Sequence, residues 1–216
     1  PEIDLSIIMP KAGKLLANFH QACKPVREII TFESELKTLK KNTSKIVKRL
    51  PSTKSRIDKL LLQFEALPKT DNLFITLLHG TFRLNHLFVH QNELALLDLD
   101  SVCMGYPAVD VANFISALYF LEAQGRISQS QRQEITHYFL DGYLENSDWP
   151  VSVEILLWYL ASLLIHKQAL KYVKYLHSDR EEKVNRMLML AEDVLNKSRQ
   201  ELPKEAAGDF VCELLP

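Results

Sequence analysis

The chain contains one stretch in which the apolar residues stop following a helical period. Residues 73–100 read LFITLLHGTFRLNHLFVHQNELALLDLD, and they open with a β-rich run over 73–78. Two further extended runs, over 86–90 and 93–100, are separated by Gln-Asn at 91–92, which suits a tight turn. We therefore expect a strand, an irregular loop and then a two-stranded hairpin.

Helical periodicity predominates on both sides of this stretch. Seven segments carry apolar residues at helical spacing, and the first three each end directly before a proline. The segments are 11–24, 33–50, 57–67, 108–124, 129–145, 150–176 and 178–200. Ser128 with Gln131, and Ser178 with Glu181, have the spacing of capping boxes. The expected fold class is α+β and predominantly helical, with a short β-hairpin.

Charge gives no general reason to expect a polyanionic partner. The 216 residues carry a net charge of -1, and 47% of them are hydrophobic, which is enough to bury a core. The stretch 37–59 holds nine Lys and Arg residues against one acid, Asp58. Because no aromatic residue is interleaved to stack on a base, we interpret it as a solvated helix face and do not expect nucleic-acid binding.

The cysteines and the apolar runs suggest a reducing, non-membrane environment. Cys23, Cys103 and Cys212 are far apart and odd in number, so they predict neither a disulfide framework nor a zinc site. The longest apolar run, 155–165, falls well short of the ~20 residues of a membrane span and is expected to be a buried helix. No signal-peptide pattern is present near the beginning of the sequence. A cytoplasmic location is expected.

Two carboxylates stand at the end of the third extended run. If the strand continues to residue 100, side-chain alternation places Asp98 and Asp100 on one face. Such a pair needs a positive partner, and a divalent cation held with a nucleotide phosphate is one possibility. The other possibility is that the two acids accept hydrogen bonds from loop N–H groups or pair with a Lys or Arg side chain. The two acids alone do not decide between these possibilities.

The order of motifs around these acids is more specific. After His79-Gly80 come an irregular loop, the hairpin, Leu-Asp-Leu-Asp at 97–100 and Gly-Tyr-Pro-Ala-Val-Asp-Val-Ala at 105–112. Residues 77–114 resemble the catalytic core of the aminoglycoside phosphotransferase and choline kinase family, which has the protein-kinase-like fold. That family typically reads H-G-D-x-x-x-x-N, a strand, L-D-F-D or I-D-W-D, and then G-x-P-x-x-D-L-A.

The resemblance implies a role for each matched residue. Asp98 would bind the cofactor Mg²⁺ and, through it, the cofactor ATP. Asp100 would be a second acid at the metal. Asp110 would brace the catalytic loop through backbone N–H groups, and His79 would also be structural, donating to nearby backbone. The acceptor would be a small molecule that carries a hydroxyl group.

Two functional positions depart from the family pattern. Thr81 stands where the family has its catalytic Asp, and His86 stands where it has a metal-binding Asn, with Asn85 one residue early. A threonine hydroxyl is not a base near neutral pH, and no acid lies between residues 71 and 93. Arg83 matches a phosphate-contacting Lys of many protein kinases, so it either holds an anion or pairs with an acid at the surface.

The match also suggests how much of the fold is present. Residues 12–20, AGKLLANFH, resemble the family helix that follows the hinge between the lobes. We therefore expect a C-terminal lobe over 1–202, a loosely ordered tail over 203–216, and no N-terminal nucleotide-binding lobe in this chain. The six glycines form no Gly-rich phosphate loop, so ATP and Mg²⁺ are not expected to bind well to this lobe alone.

Two functions remain open at this point. The first is ATP-dependent phosphoryl transfer to a small-molecule hydroxyl by a parent protein with an atypical catalytic loop, which Asp98, Asp100 and Arg83 favour. The second is a catalytically inactive, pseudokinase-like binding or scaffold module, which Thr81 and His86 favour. The expected partners are a small-molecule acceptor or the missing N-terminal lobe.

Overall fold

Eight α-helices and four short strands make up the described part of the chain. The structure, a computed structural model, describes residues 4–22, 26–66, 68, 74–175, 178–198 and 215–216. The helices are α1 (Leu5–Gln21), α2 (Phe32–Arg49), α3 (Lys54–Phe64), α4 (Ala108–Ala123), α5 (Gln129–Leu144), α6 (Val153–Leu163), α7 (Leu170–Lys174) and α8 (Arg180–Lys197). The strands are β1 (Thr76–Leu78), β2 (Leu87–His90), β3 (Glu93–Leu96) and β4 (Cys103–Gly105). The predicted α+β, mainly helical class is confirmed.

Several helix starts differ from the sequence prediction, most of all that of α1. Helix α1 begins six residues before the predicted position 11, because Asp4 caps it by accepting a hydrogen bond from the Ser6 backbone N–H at 2.9 Å. Pro10 lies inside this helix rather than before it. Helix α8 begins at Arg180, with no side-chain cap, so the predicted Ser178 box was wrong. The box at Ser128 is confirmed, and the predicted helix ends at 24, 67, 176 and 200 lie outside the described residues.

Helices α1 and α5 cross at two glycines. A Cβ atom at Gly13 would lie 2.2 Å from the Phe139 carbonyl oxygen, and one at Gly142 would lie 2.1 Å from the Pro10 carbonyl oxygen. Only glycine permits so close a backbone approach. This crossing positions His20, near the end of α1, over the beginning of α4.

The strands form two antiparallel pairs. Strands β2 and β3 form the predicted hairpin, and its turn residues Gln91 and Asn92 have positive φ values of 48° and 63°. Strand β1 pairs with β4, with Leu78 opposite Cys103, and Ile29 bridges Met104 on the other side. The sequence analysis missed β4. Its pairing with β1 places the His79-Gly80 turn beside the segment that follows Asp98.

The core is built around the helix that runs from α6 through a π-helical segment, Leu164–Ala169, into α7. By length and composition alone, Val153–Lys174 could cross a membrane, but 89% of its most apolar window is buried inside the protein. A mostly buried helix of this kind is typical of a soluble core. The prediction that residues 155–165 form a buried helix is confirmed.

The last two residues of the chain are packed against the helices. The Leu215 side chain is 5% exposed, and the Pro216 carbonyl oxygen accepts hydrogen bonds from Tyr119 Oη at 2.9 Å and Arg132 Nη2 at 2.7 Å. The rest of the predicted tail, 203–214, and the predicted lobe boundary at 202 lie outside the described residues.

Candidate active site

Asp110 holds the turn that leads into the loop. It is the third residue of α4 and is 0% exposed. Its Oδ2 accepts the His79 backbone N–H at 2.6 Å, and its Oδ1 accepts the Gly80 backbone N–H at 2.9 Å. His20 Nε2 lies 3.2 Å from the same Oδ2. We call Asp110, His20 and the backbone of His79-Gly80 the brace; its N–H contacts are of the kind that the resemblance implied for Asp110.

A second layer of buried polar groups supports the brace from behind. Trp149 Nε1 donates to Tyr143 Oη at 3.2 Å, and Tyr143 Oη lies 2.9 Å from His20 Nδ1. Each of these hydrogen bonds has one donor and one acceptor when Tyr143 donates to His20 Nδ1 and His20 donates from Nε2 to Asp110. Burial raises the pKa of Tyr143 well above its ordinary value. The sequence did not indicate this role of His20, because its partners Asp110 and Tyr143 lie 90 and 123 positions further along the chain.

Gly80 brings the turn against the acid-bearing segment. Its φ of +78° is in the left-handed region, and a Cβ atom there would lie 2.3 Å from the Ser101 carbonyl oxygen. Any other residue would force the two segments apart. The His-Gly motif therefore requires glycine at position 80 for a steric reason, the close approach to Ser101 that the β1–β4 pairing creates.

His79 links the turn to the backbone just before Asp98. Its Nε2 lies 3.0 Å from the Leu97 carbonyl oxygen, to which it donates, and its ring stacks on the His86 ring at a centroid distance of 5.2 Å. Thr81 follows the turn, with its hydroxyl oxygen 3.5 Å from His79 Nδ1. Phe82 is fully buried and anchors this loop against Phe114 and Phe139.

Arg83, His86 and Asp98 meet in one contact chain. Arg83 Nε donates to His86 Nε2 at 2.8 Å, and His86 Nε2 lies 3.1 Å from Asp98 Oδ2. Burial, followed by repulsion from Arg83, lowers the pKa of His86 below its ordinary value. His86 is therefore neutral near pH 7, with its proton on Nδ1, a buried atom that has no hydrogen-bond partner in the described structure. We call Thr81, Arg83, His86 and Asp98 the reaction face.

The predicted geometry of the two acids was wrong. Strand β3 ends at Leu96, Asp98 has a left-handed φ of 64°, and Leu99–Ser101 form a 3₁₀ turn. Side-chain alternation along a strand therefore does not extend to Asp98 and Asp100. Asp100 and Asn85 are exposed, and the Asp98 side chain is 48% exposed.

The donor atoms at Asp98 suit a metal site in which the protein supplies only part of the ligands and a phosphate group supplies others. Within the described ranges, no group of three or more His, Cys, Asp and Glu residues could hold a metal ion. His86 Nε2 is already bonded to Arg83, and Mg²⁺ prefers oxygen ligands. The half-exposed Asp98 carboxylate fits a hydrated Mg²⁺ whose other ligands are phosphate oxygens. Asp100 and Asn85, the other predicted ligands, make no contact with it that the structure records.

A cleft opens beside the brace. It has a volume of about 540 Å³, and its walls come from α2 on one side and the α6–α7 helix on the other. Gly80 and Asn113 are among its lining residues, and Asn113 Nδ2 donates to the Gly80 carbonyl oxygen at 3.3 Å. A molecule in this cleft would lie next to the turn that carries Thr81.

Comparison with protein families identifies the family of this chain. A model of the phosphotransferase enzyme family, APH, matches residues 4–150, a span that includes the whole brace and reaction face. The chain belongs to this phosphotransferase family. The resemblance to aminoglycoside phosphotransferases predicted from the motifs is thereby confirmed. A search of curated proteins finds no match.

Solved structures show the same fold for this phosphotransferase family member. An amicoumacin kinase in complex with AMP-PNP and Ca²⁺ superimposes with a TM-score of 0.54 and 16% identity, over 89% of this chain. A choline/ethanolamine kinase family protein from Mesorhizobium loti gives 0.53 and 12%, over 95% of this chain. The chain spans 59% and 64% of the lengths of these two structures. The predicted kinase-like fold is confirmed.

Proposed function

We propose that this chain is the C-terminal, acceptor-binding lobe of a phosphotransferase that moves the γ-phosphoryl group of ATP to a small-molecule hydroxyl. The observation that carries the proposal is the buried Asp110, which holds the His79-Gly80 turn with both carboxylate oxygens. A turn fixed in this way orients the loop toward Asp98 and the cleft. Phosphoryl transfer depends mainly on such positioning, with little covalent chemistry for the protein to perform.

The reaction balances without a protein base. The P–O bond between the β- and γ-phosphoryl groups of ATP breaks, a new P–O bond forms to the acceptor oxygen, and ADP leaves. Because Thr81 has no basic atom, the acceptor proton passes to water. Arg83 binds the transferred phosphoryl oxygens, and a Mg²⁺ held by Asp98 would neutralise phosphate charge. The expected rate is low, since general-base catalysis typically contributes about 10²–10⁴-fold.

Nucleotide binding requires more than the residues of this lobe. The sequence has no Gly-rich phosphate loop, and the solved relatives are longer than this chain. We infer that an N-terminal lobe provides the adenine site and most of the phosphate contacts. The AMP-PNP and Ca²⁺ in the amicoumacin kinase complex support nucleotide and divalent metal use in the family. A cytoplasmic location is part of this proposal, and the free, buried thiol of Cys103 is compatible with it.

One observation favours a second function, an inactive binding module. Arg83 donates to His86 Nε2, so the group in the metal-ligand position already has a partner within the protein. In this alternative the lobe keeps the brace for stability and uses the cleft to bind a ligand without turnover. The two functions differ in whether Asp98 binds the metal ion of a nucleotide.

The test uses the longest natural protein that contains this chain, with radiolabelled ATP and Mg²⁺ in single-turnover assays. Thr81→Asp should raise the rate of acceptor phosphorylation or ATP hydrolysis by at least about tenfold, because it restores a proton acceptor. Thr81→Asn is the matched control, with similar size to Asp and no base, and should not give this gain. Asp98→Asn should abolish the gain.

The outcomes separate the two functions. A rate increase in Thr81→Asp alone supports the phosphotransferase. Unchanged activity in Thr81→Asp, with no thermal shift on adding Mg²⁺ and AMP-PNP to the wild-type protein, would leave the binding module. Equal gains in Thr81→Asp and Thr81→Asn would contradict the assignment of position 81 as the base position.

A further inference from the structure

The wall of the cleft that the α6–α7 helix forms carries an unusual concentration of positive charge. Lys167, Lys171 and Lys174 all line it, one on the π-helical segment and two on α7. We call these three residues the basic wall. They lie in or next to the most apolar helix of the chain, where a charged side chain has to be explained by what it faces.

Lys167 connects the basic wall to the catalytic turn. Its Nζ donates to Asn113 Oδ1 at 2.6 Å, and Asn113 Nδ2 donates to the Gly80 carbonyl oxygen at 3.3 Å. One side chain therefore separates the Lys167 ammonium from the backbone of the brace. A group bound at Lys167 would lie close to the site of phosphoryl transfer.

Nearby acids attract the basic wall only from beyond ion-pair distance, as Asp110 and Glu35 do for Lys167. Within the described structure, neither Lys167 nor Lys171 has a carboxylate oxygen within ion-pair distance; their hydrogen bonds go to the amides of Asn113 and Gln168. The acids that line the same cleft are Glu28, which is exposed, and Glu35. Glu35 is already engaged, since its Oε1 accepts from Ser162 Oγ and lies 2.7 Å from His166 Nε2.

The two partly buried ammonium groups also affect one another. Burial is the main cause that lowers the pKa of Lys167, and burial together with repulsion from Lys167 and Arg83 lowers the pKa of Lys171 to about 8. Like charges held together in a partly desolvated cleft are unfavourable unless a ligand compensates them. An anion would relieve this repulsion, and a cationic ligand would increase it.

We propose that the basic wall binds an anionic group, a phosphate or carboxylate, of the acceptor, so that the substrate of this phosphotransferase is an anionic hydroxyl compound. The proposal rests on the proposed function, because it names the substrate class of that site. The anion is held by Lys167 and Lys171 on this wall of the cleft, and the hydroxyl points toward Gly80 and Thr81. Polycationic acceptors are disfavoured by the same charges.

The first test measures binding without turnover. Sulfate is titrated into the chain and followed by backbone amide NMR shifts, which should localise to residues 113 and 164–174. Lys167→Met and Lys171→Gln should each weaken sulfate binding at least about fivefold, since each removes one charge close to the anion. Lys59→Met, on α3 and outside the cleft, is the matched control and should bind sulfate normally. Melting temperatures establish that each variant is folded.

A pH series provides an independent check on Lys171. Sulfate does not change charge between pH 7 and 9, so its affinity should fall as pH rises through about 8 and Lys171 loses its proton. The fall should be absent in Lys171→Gln. The other charged or titratable groups that line the cleft are Glu28, Glu35, His166, Lys167, Lys174 and Tyr175, and Arg83 acts on Lys171 from outside the lining.

Three results would overturn the proposal. Sulfate binding that is absent, or that is unchanged in both lysine variants, would show that the basic wall is not an anion site. Displacement of sulfate by Mg²⁺ and AMP-PNP in the longer natural protein would assign the anion site to the nucleotide instead of the acceptor. Because these measurements need no turnover, they are independent of the Thr81→Asp result: loss of the phosphotransferase leaves sulfate binding intact, and loss of sulfate binding leaves the phosphotransferase intact.

Discussion

The brace and the reaction face are neighbours in this structure, but their side chains are held very differently. Asp110 and His20 are 0% exposed, and both carboxylate oxygens of Asp110 have partners. On the reaction face, the Asp98 side chain is 48% exposed, and the buried Nδ1 of His86 has no hydrogen-bond partner among the described residues.

This difference separates what the fold needs from what the reaction needs. Removing a group from the brace leaves buried N–H groups unsatisfied, so a change there is costly to folding. A change at Thr81 or Asp98 leaves few buried groups unsatisfied, so it should affect mainly the proposed chemistry. Sequence departures from the family pattern occur at the reaction face, at Thr81 and His86, while the residues of the brace match it.

The largest effect is expected for Asp110→Ala. Two buried backbone N–H groups and His20 would lose their acceptor, so the free energy of unfolding should fall by about 3–5 kcal/mol. Urea denaturation of the chain measures the change. Asp98→Ala is the matched control on the exposed acid, and a loss of similar size in both variants would remove the distinction between brace and reaction face.

Gly80→Ala should have the next largest effect. The new Cβ would clash with the Ser101 carbonyl oxygen, and the alanine would also have to adopt a left-handed φ. Overpacking of this kind costs about 1–3 kcal/mol. Gly125→Ala is the control, since Gly125 has a similar φ of +69° but no atom of the described residues within 4 Å of the added carbon. The difference between the two variants isolates the contact between the turn and the acid-bearing segment. Equal losses would mean that backbone strain alone is being measured.

Arg83→Met should change the titration of His86. Because the folded-state pKa of His86 is below its ordinary value, the unfolded chain binds this proton more readily, and stability falls as pH drops below about 6.5. Removing Arg83 frees Nε2 for a proton beside Asp98, so the pKa of His86 should rise and the loss of stability at low pH should shrink. NMR titration of the His86 ring measures the pKa. An unchanged pKa would show that burial alone sets it.

The smallest effect on stability is expected for Asp98→Asn. The side chain is half exposed, and Asn tolerates a left-handed backbone as well as Asp does, so the free energy of unfolding should change by less than about 0.5 kcal/mol. Chemical denaturation without nucleotide is the measurement. A loss above about 2 kcal/mol would place Asp98 with the brace.

Local patterns in the sequence predicted most elements of the fold. Apolar spacing located the helices, and the Gln91-Asn92 turn located the hairpin. The prediction failed where distant segments decide the outcome. Strand β4 exists because β1 pairs with it, and β3 stops at Leu96 because the backbone turns left-handed at Asp98. Neither event has a local apolar signal.

The candidate site divides in the same way. The motifs pointed to His79, Thr81, Arg83, His86, Asp98 and Asp110, and the structure brings all six together in one region. It leaves Asn85 and Asp100 exposed, and it adds His20, to which the matched helix over 12–20 assigned no role. The spacing of Lys167 and Lys171, four residues apart on a helix, was a usable signal that sequence reasoning did not pursue.

By itself, the sequence determined the helical periodicity, the position of the hairpin turn and the family motifs, because these depend on residues close together along the chain. Tertiary structure alone decided that His20 supports Asp110, that Gly80 touches Ser101, and that Lys167 reaches Asn113 beside the His79-Gly80 turn. Each of these contacts joins segments more than 20 residues apart. The packing of α1, α4 and the α6–α7 helix brings them together, and no local propensity encodes that packing.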